Sequence, residues 1–136
     1  LMAGIAFNNA FLGLAHAIAS PLGAHFHVPH GMANAVILPY VMEYNYTAAP
    51  DKYIDMAVAF GQNVTGGDIY EDAHLAVSAM EKFVEICGLP RRLRDVGAKE
   101  ELLDQVAEDA LLSVQLRFNC RSATSKQIRD ILATAF

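Results

Sequence analysis

Basic residues and cysteines are both scarce in this sequence, and each shortage argues against a class of protein. Only ten of the 136 residues are Lys or Arg, and the formal net charge is −5. Nucleic-acid backbones are bound mainly by clustered basic side chains, so this balance argues against a nucleic-acid partner. The two cysteines, Cys87 and Cys120, form neither a C-x-x-C metal motif nor a disulfide framework. This favours a reducing compartment, and the cytoplasm is the expected location.

The beginning of the chain lacks charge altogether. The first 42 residues contain no Asp, Glu, Lys or Arg. A secretory signal peptide needs a basic start, and no basic residue precedes Lys52. A membrane span needs about 20 predominantly apolar residues, whereas Asn8, Asn9 and His16 interrupt this segment. Residues 1–20 are therefore predicted to form one helix, apolar on all sides and enclosed at the centre of a larger body.

Helical periodicity continues along the rest of the chain, which is 54% hydrophobic and can bury a core. Residues 21–29 are predicted to form a turn, and further helices are predicted over 31–46, 51–62, 70–86, 100–113 and from 124 onward. Pro39 is predicted to kink or split the first of these, and Thr124 and Gln127 to open the last as a capping box. Because no alternating strand pattern occurs, the predicted class is all-α, a helical bundle in one domain over 1–136.

Two of these helices have a defined apolar face. The face of 70–86 is predicted to consist of Leu75, Ala79, Phe83 and Ile86, and the face of 100–113 of Leu103, Val106, Ala107, Ala110 and Leu111. The connection between them contains three arginines, which are interpreted as part of a solvated turn: Arg91, Arg92 and Arg94.

Histidines are the main candidates for chemistry, and four of the five fall within fifteen residues: His16, His25, His27 and His30. His16 and His30 lie on opposite sides of a reversal rich in Pro and Gly, so two helix-borne imidazoles could converge on a metal ion. Imidazole suits iron, zinc, copper and nickel alike. A hydrogen-bonded core histidine is the plainer alternative for each. His25 and His27 could be ligands, the lining of a pocket or its wall, and lining is the preferred interpretation.

Other candidate motifs are weaker. Glu71 and His74 have the E-x-x-H spacing that binds di-iron in helix bundles, but that site needs a second copy, and none is present. The spacing is therefore interpreted as a coincidence at a helix start. Ser20, Ser122 and Cys87 have no obvious base and orienting partner, so nucleophilic catalysis is not supported.

One long stretch resembles a known family. The segment AGIAFNNAFLGLAH at 3–16 continues through PLGA at 21–24 and PHGMANA at 29–35. It resembles the iron-containing alcohol dehydrogenases, including the alcohol dehydrogenase part of bifunctional aldehyde–alcohol dehydrogenases. Looser agreement follows at GLP over 88–90 and at Asn119-Cys120-Arg121, where the family usually has Asn-Pro-Arg.

The resemblance implies that His16 and His30 bind a metal, divalent iron with zinc as an alternative. The family completes this site with an aspartate and a histidine four residues apart, and no D-x-x-x-H occurs here. Its nucleotide-binding domain is also missing. The chain, which has no initiating Met, is therefore expected to be the N-terminally truncated C-terminal metal-binding domain of a longer enzyme, inactive by itself. The resemblance assigns no catalytic acid or base to it.

The activity implied for the longer enzyme is the interconversion of alcohols with aldehydes or ketones, by hydride transfer with NAD(P). The metal would act as a Lewis acid on a small alcohol or aldehyde substrate. Ser20 stands where the family often has a second histidine, and a hydroxyl cannot replace imidazole as an acid or base near neutral pH. Either the proton relay or the substrate preference is therefore expected to differ.

Two further expectations concern partners. The apolar opening helix, without the upstream helices expected to cover it, is predicted to drive self-association into a homo-oligomer. The alternative to an enzyme fragment is a stand-alone helical module that binds a metal or a partner helix without catalysis.

Overall fold

Seven α-helices build the structure, a computed structural model that describes residues 1–136. They are α1 Met2–Ala10, α2 Leu14–Phe26, α3 His30–Asn45, α4 Pro50–Ala59, α5 Ile69–Ile86, α6 Leu103–Leu111 and α7 Ser125–Ala135. Short 3₁₀ turns lie between them, at Tyr46–Ala48, Leu93–Val96, Glu100–Leu102 and Val114–Phe118. No β-strand is present, so the predicted all-α class is confirmed.

The prediction of a single opening helix over 1–20 is wrong. Two helices, α1 and α2, occupy this region and meet at 95°. Phe11, between them, has a φ of 62°, which a continuing right-handed helix excludes. Beyond the break, the backbone N–H of Leu14 donates to the side chain of Asn119 at 3.1 Å. That partner is 105 residues away in sequence, so local periodicity does not indicate the break.

No helix of this structure is by itself long and apolar enough to cross a membrane. Only α1 and α2 together, as a bent pair, reach the length and apolar composition of a span.

The two halves of the opening segment differ in burial. No residue of α1 is buried, whereas α2 contributes Leu14, Ile18 and Leu22 to the core. Within these 136 residues only α2 is enclosed, and the enclosure of α1 by a larger body stays a prediction. α2 also continues through Pro21 to Phe26, so the turn predicted over 21–29 is reduced to residues 27–29. Consequently the predicted turn residue His25 lies on a helix.

The larger core is formed by α2, α3, α6 and α7. Its largest fully buried side chains are Leu14, Ile18, Leu22, Val36, Ile37, Leu93, Leu103, Val106, Ile128 and Leu132. α3 runs unbroken through Pro39, so the predicted split of this helix at the proline does not occur. The predicted α6 face is correct in its four buried members, and the capping box of Thr124 and Gln127 is present at the start of α7.

Two of the three arginines after α5 reach the last helix. Arg92 donates to the carbonyl oxygen of Thr134 at 2.6 Å, and Arg94 donates to that of Phe136. Cationic side chains near a helix C-terminus satisfy its free carbonyls. The connection is therefore attached to α7 as well as exposed to solvent.

The face predicted for α5 is correct at Leu75 and Ala79 and wrong at Phe83 and Ile86. Phe83 and Ile86 are 52% and 72% exposed. The residues that are buried on this helix are Asp72, Ala73, Ala76, Val77, Ala79 and Val84. Together with Tyr53 and Ala57 of α4, several of these form a second, smaller core. Small side chains allow two helices to approach closely, and Ala57, Ala73 and Ala76 occupy this contact.

Asp72 fixes the loop between α4 and α5. Its carboxylate accepts from the backbone N–H of Thr65 at 3.0 Å and of Gly66 at 2.8 Å, and from the Thr65 hydroxyl at 3.2 Å. The hydrogen bond from the Thr65 backbone, followed by the other donors of this loop and opposed by burial, lowers the pKa of Asp72.

An Asp72→Asn variant is expected to have a lower thermal unfolding midpoint than the parent at neutral pH. A lowered pKa stabilises the fold above the ordinary aspartate pKa, and this contribution is lost as pH falls through the folded-state value. The gap in midpoint should therefore shrink below about pH 4. Circular dichroism melts across this range measure it, with exposed Asp55→Asn as control. A gap that stays constant with pH would contradict this role for Asp72.

Self-association of the 136-residue chain remains a prediction, and α1 gives it a location. Leu1, Met2, Ile5 and Phe7 are all exposed, and they lie together on or beside α1. Contiguous apolar patches above a few hundred Å² are uncommon on soluble monomers. Sedimentation velocity at micromolar concentration is expected to detect dimers or larger species, and fewer of them for an Ile5→Lys, Phe7→Lys double variant. A clean monomer of the parent chain would refute the prediction.

Candidate metal centre

His16 and His30 lie at the start of two consecutive helices. His16 is in the first turn of α2, and His30 is the first residue of α3. Residues 27–29 connect the helices, with His27 in the left-handed conformation at a φ of 55°. The two imidazole ring centroids are 5.2 Å apart, with an angle of 59° between the ring planes. The structure therefore brings together the two histidines that the sequence singled out.

The separation of the two rings is that of two imidazoles bound to one ion. A ligating nitrogen lies about 2.1 Å from a divalent metal, so two rings at about 90° to 110° have centroids about 4.6 to 5.3 Å apart. The observed 5.2 Å falls within this range. The separation of the two rings thus matches that of two imidazoles on one divalent ion. No group of three or more His, Cys, Asp or Glu side chains suited to a metal occurs in the chain.

The position of His16 depends on how α2 begins. Gly13 precedes α2 and packs closely against Asn119. The contact leaves no room for a side chain, since a Cβ at Gly13 would lie 2.7 Å from Asn119 Oδ1. That oxygen accepts from the Leu14 backbone at 3.1 Å and from Asn45 Nδ2 at 2.9 Å. The Asn119 amide donates in return to Asn45 Oδ1 at 2.8 Å. Three separate segments therefore meet at the first turn of α2 and hold it in place.

The surroundings of His16 favour its neutral form. Burial, and then the neighbouring His30, lowers the pKa of the His16 imidazole. A histidine binds a metal through an unprotonated ring nitrogen, so a lowered pKa favours the ligating form near neutral pH. The His16 side chain makes no hydrogen bond within the chain, and its carbonyl oxygen accepts from the Ser20 hydroxyl at 3.1 Å. The alternative of a hydrogen-bonded core histidine is therefore not supported for His16.

A polar residue that the sequence did not single out lies beside this pair. Asn34, one turn after His30 on α3, places its side-chain nitrogen 3.1 Å from His30 Nε2. The same nitrogen donates to the His30 carbonyl oxygen at 2.9 Å. The only sequence signal for Asn34 is its spacing of four residues from His30.

The remaining histidines have other partners. His25 Nε2 is 2.6 Å from Asp109 Oδ2, so His25 attaches the end of α2 to α6, and its hydrogen bond lowers the pKa of Asp109. His27 is exposed at the end of α2. His74 donates to Glu43 at 2.8 Å. His74 thus bonds to a carboxylate of α3 and not to Glu71, which agrees with the interpretation of the Glu71 and His74 spacing as a coincidence.

Comparisons with known proteins agree along the whole chain. The model for the C-terminal part of the Fe-containing alcohol dehydrogenase family matches residues 1–136. The 1,3-propanediol dehydrogenase of Citrobacter freundii is 43% identical over 136 residues, covering 100% of this chain and 35% of that protein. The lactaldehyde reductase of Escherichia coli strain K12 is 41% identical over 135 residues, covering 99% and 35%.

Solved structures give the same coverage. A crystal structure of 1,3-propanediol oxidoreductase matches with a TM-score of 0.97 at 42% identity, covering 100% of this chain and 36% of that one. An alcohol dehydrogenase from Oenococcus oeni matches with a TM-score of 0.94 at 40% identity, covering 98% and 35%. The chain spans about a third of the length of the curated relatives it matches.

Proposed function

Because the chain belongs to the iron-containing alcohol dehydrogenase family, as its C-terminal part, we propose that it supplies two metal ligands, His16 and His30, to an alcohol dehydrogenase active site. The enzyme interconverts small alcohols with aldehydes or ketones, using NAD(P). The observation that carries the proposal is the pair of neighbouring imidazoles, with ring centroids 5.2 Å apart, at the start of α2 and α3.

The chain's own contribution is to bind and to enclose. His16 and His30 hold the ion through neutral nitrogens, and the lowered pKa of His16 supports this role. A divalent iron, or zinc as an alternative, supplies Lewis-acid chemistry when bound, lowering the pKa of an alcohol and polarising a carbonyl group. Ala17, Ile18 and Ala19 beside His16 are fully buried, and they exclude water from that side of the helix.

The other parts of the active site lie outside these 136 residues in this proposal. By family resemblance, an aspartate and a third histidine complete the ligands, and a nucleotide-binding domain holds NAD(P). Ser20 lies one turn after His16, and its hydroxyl donates to the His16 carbonyl oxygen. That hydrogen bond, together with the ordinary chemistry of a hydroxyl, leaves proton transfer to another group or to solvent.

A fusion enzyme tests the proposal. This chain would replace the matched C-terminal third of the Citrobacter freundii 1,3-propanediol dehydrogenase, to which it is 43% identical. The fusion is expected to oxidise 1,3-propanediol with NAD when loaded with ferrous iron, and to lose turnover when the metal is removed by a chelator. The matched control is the unmodified relative under the same conditions.

The isolated chain provides the contrasting measurement. It is expected to show no alcohol oxidation and only weak binding of ferrous iron or zinc, because two ligands alone hold a metal poorly. A folded fusion that binds iron and NAD without turning over any small alcohol would contradict the proposal. Tight one-to-one metal binding by the isolated chain would instead favour a stand-alone metal-binding module.

A further inference from the structure

The side-chain amide of Asn34 contacts His30 at two atoms. Its Nδ2 lies 3.1 Å from His30 Nε2 and 2.9 Å from the His30 carbonyl oxygen. The other amide atom, Oδ1, is buried and has no hydrogen-bond partner. A buried acceptor without a donor is unfavourable. Because Oδ1 has no partner, it cannot determine how the amide is oriented. The contacts with His30 determine it.

Those contacts also fix which atom is which. A backbone carbonyl oxygen can only accept a hydrogen bond, so the amide atom at 2.9 Å from it must be the nitrogen. The reversed amide would place two acceptors against each other. The same nitrogen therefore approaches His30 Nε2 as a donor, and a donor at that distance requires an unprotonated Nε2. In the neutral ring the proton is then on Nδ1.

We infer that Asn34 is a positioning residue, which holds the His30 imidazole with Nε2 unprotonated before the metal arrives. A metal ligand must present a lone pair, and the Nε2–H tautomer cannot do so at Nε2. When a metal takes the lone pair, the Asn34 amide keeps its hydrogen bond to the His30 carbonyl oxygen. Asn34 thus stays anchored while the ring exchanges one partner for another. This inference rests on the proposed function of His30.

A purely structural role for Asn34 makes a different prediction. An amide that only caps the backbone of α3 would change stability when replaced, and the His30 ring would keep the same tautomer. The tautomer is therefore the decisive readout, and it is measured without any metal or turnover.

The experiment is histidine ¹⁵N NMR on the full chain without metal, at about pH 8, above the ordinary imidazole pKa. His30 is expected to show Nδ1 protonated and Nε2 unprotonated. Asn34→Asp, which puts an oxygen acceptor where the donor was, is expected to move the proton to Nε2. Asn34→Leu, which removes both roles, is expected to shift His30 toward the Nε2–H form that free imidazole side chains favour.

Controls separate folding and charge from the tautomer. Asn63→Asp adds the same charge at an exposed residue outside the helices, and should leave the His30 signals unchanged. Circular dichroism of each variant checks that the helices are retained. If Asn34→Asp or Asn34→Leu folds poorly, Asn34→Gln takes its place: it keeps an amide and should retain part of the parent tautomer. A parent chain with Nε2 protonated, or folded variants with the parent tautomer, would overturn the inference.

Metal binding by the parent fusion distinguishes failure of this inference from failure of the proposed function. If the parent fusion binds no metal while His30 shows the expected tautomer, the proposed function fails and the role of Asn34 in the metal-free chain stands.

Discussion

Replacing His16 or His30 by alanine in the fusion enzyme is expected to lower kcat/KM for alcohol oxidation by at least about a thousandfold. Lewis-acid assistance is worth several kcal/mol of transition-state stabilisation, and about 4 kcal/mol corresponds to three orders of magnitude in rate. Each variant removes one of the two ligands that this chain provides. Because the remaining imidazole cannot span both positions, the ion should be lost or misplaced in either case.

The measurement combines metal content after dialysis with steady-state kinetics at saturating ferrous iron. His74→Gln is the matched control. His74 is a partly exposed histidine that donates to Glu43, and it is not paired with His16 or His30. It should retain metal and activity. If a His16→Ala, His30→Ala double variant retained both, the ligands would have been wrongly assigned, and His25 and His27 would be the next candidates.

Gly13→Ala is expected to lower the free energy of unfolding by about 2 to 4 kcal/mol, through overpacking and lost hydrogen bonds. The new Cβ would lie 2.7 Å from Asn119 Oδ1, a distance that requires Asn119 to move. Moving it breaks the bonds that this oxygen accepts from Leu14 and Asn45. Since His16 follows within the same first turn of α2, the metal affinity of the fusion should fall as well.

A double-mutant cycle isolates this contact. Urea unfolding is measured for Gly13→Ala, Asn119→Ala and the two combined. Without Oδ1 the close contact disappears, so Gly13→Ala should cost little in the Asn119→Ala background. Gly4→Ala is the matched control, because a Cβ there meets no atom within 4 Å and alanine favours the exposed helix α1. An equal cost of Gly13→Ala in both backgrounds would exclude the proposed contact as its cause.

Local patterns predicted most of the helices because those helices depend on their own sequence. The face of α6 and the capping box of α7 follow from residues three or four apart. The break between α1 and α2 does not, since Gln115 and Asn119 accept the N–H groups of Leu12 and Leu14 from more than a hundred residues away. The α5 face was wrong at Phe83 and Ile86, because helical spacing identifies apolar positions but does not show how far along the helix the neighbouring helix packs.

The candidate site was predictable in part, for a similar reason. His16 and His30 could be found from their clustering around a reversal and from the family motif, and their roles as ligands remain predictions. Asn34 and Asn119 could not be found in this way. An asparagine has many possible roles, and only the structure identifies which donors and acceptors surround it.

The short connection at 27–29 also has a consequence for how quickly the chain reaches its folded form. His16 and His30 are fourteen positions apart, and closing a loop of about ten residues takes on the order of 10 to 100 ns. The contact of His25 with Asp109, by comparison, closes 84 residues. Longer closures cost more chain entropy and tend to form later. The pair of imidazoles therefore belongs to a hairpin of low contact order, which can assemble during folding before α6 and α7 dock against it.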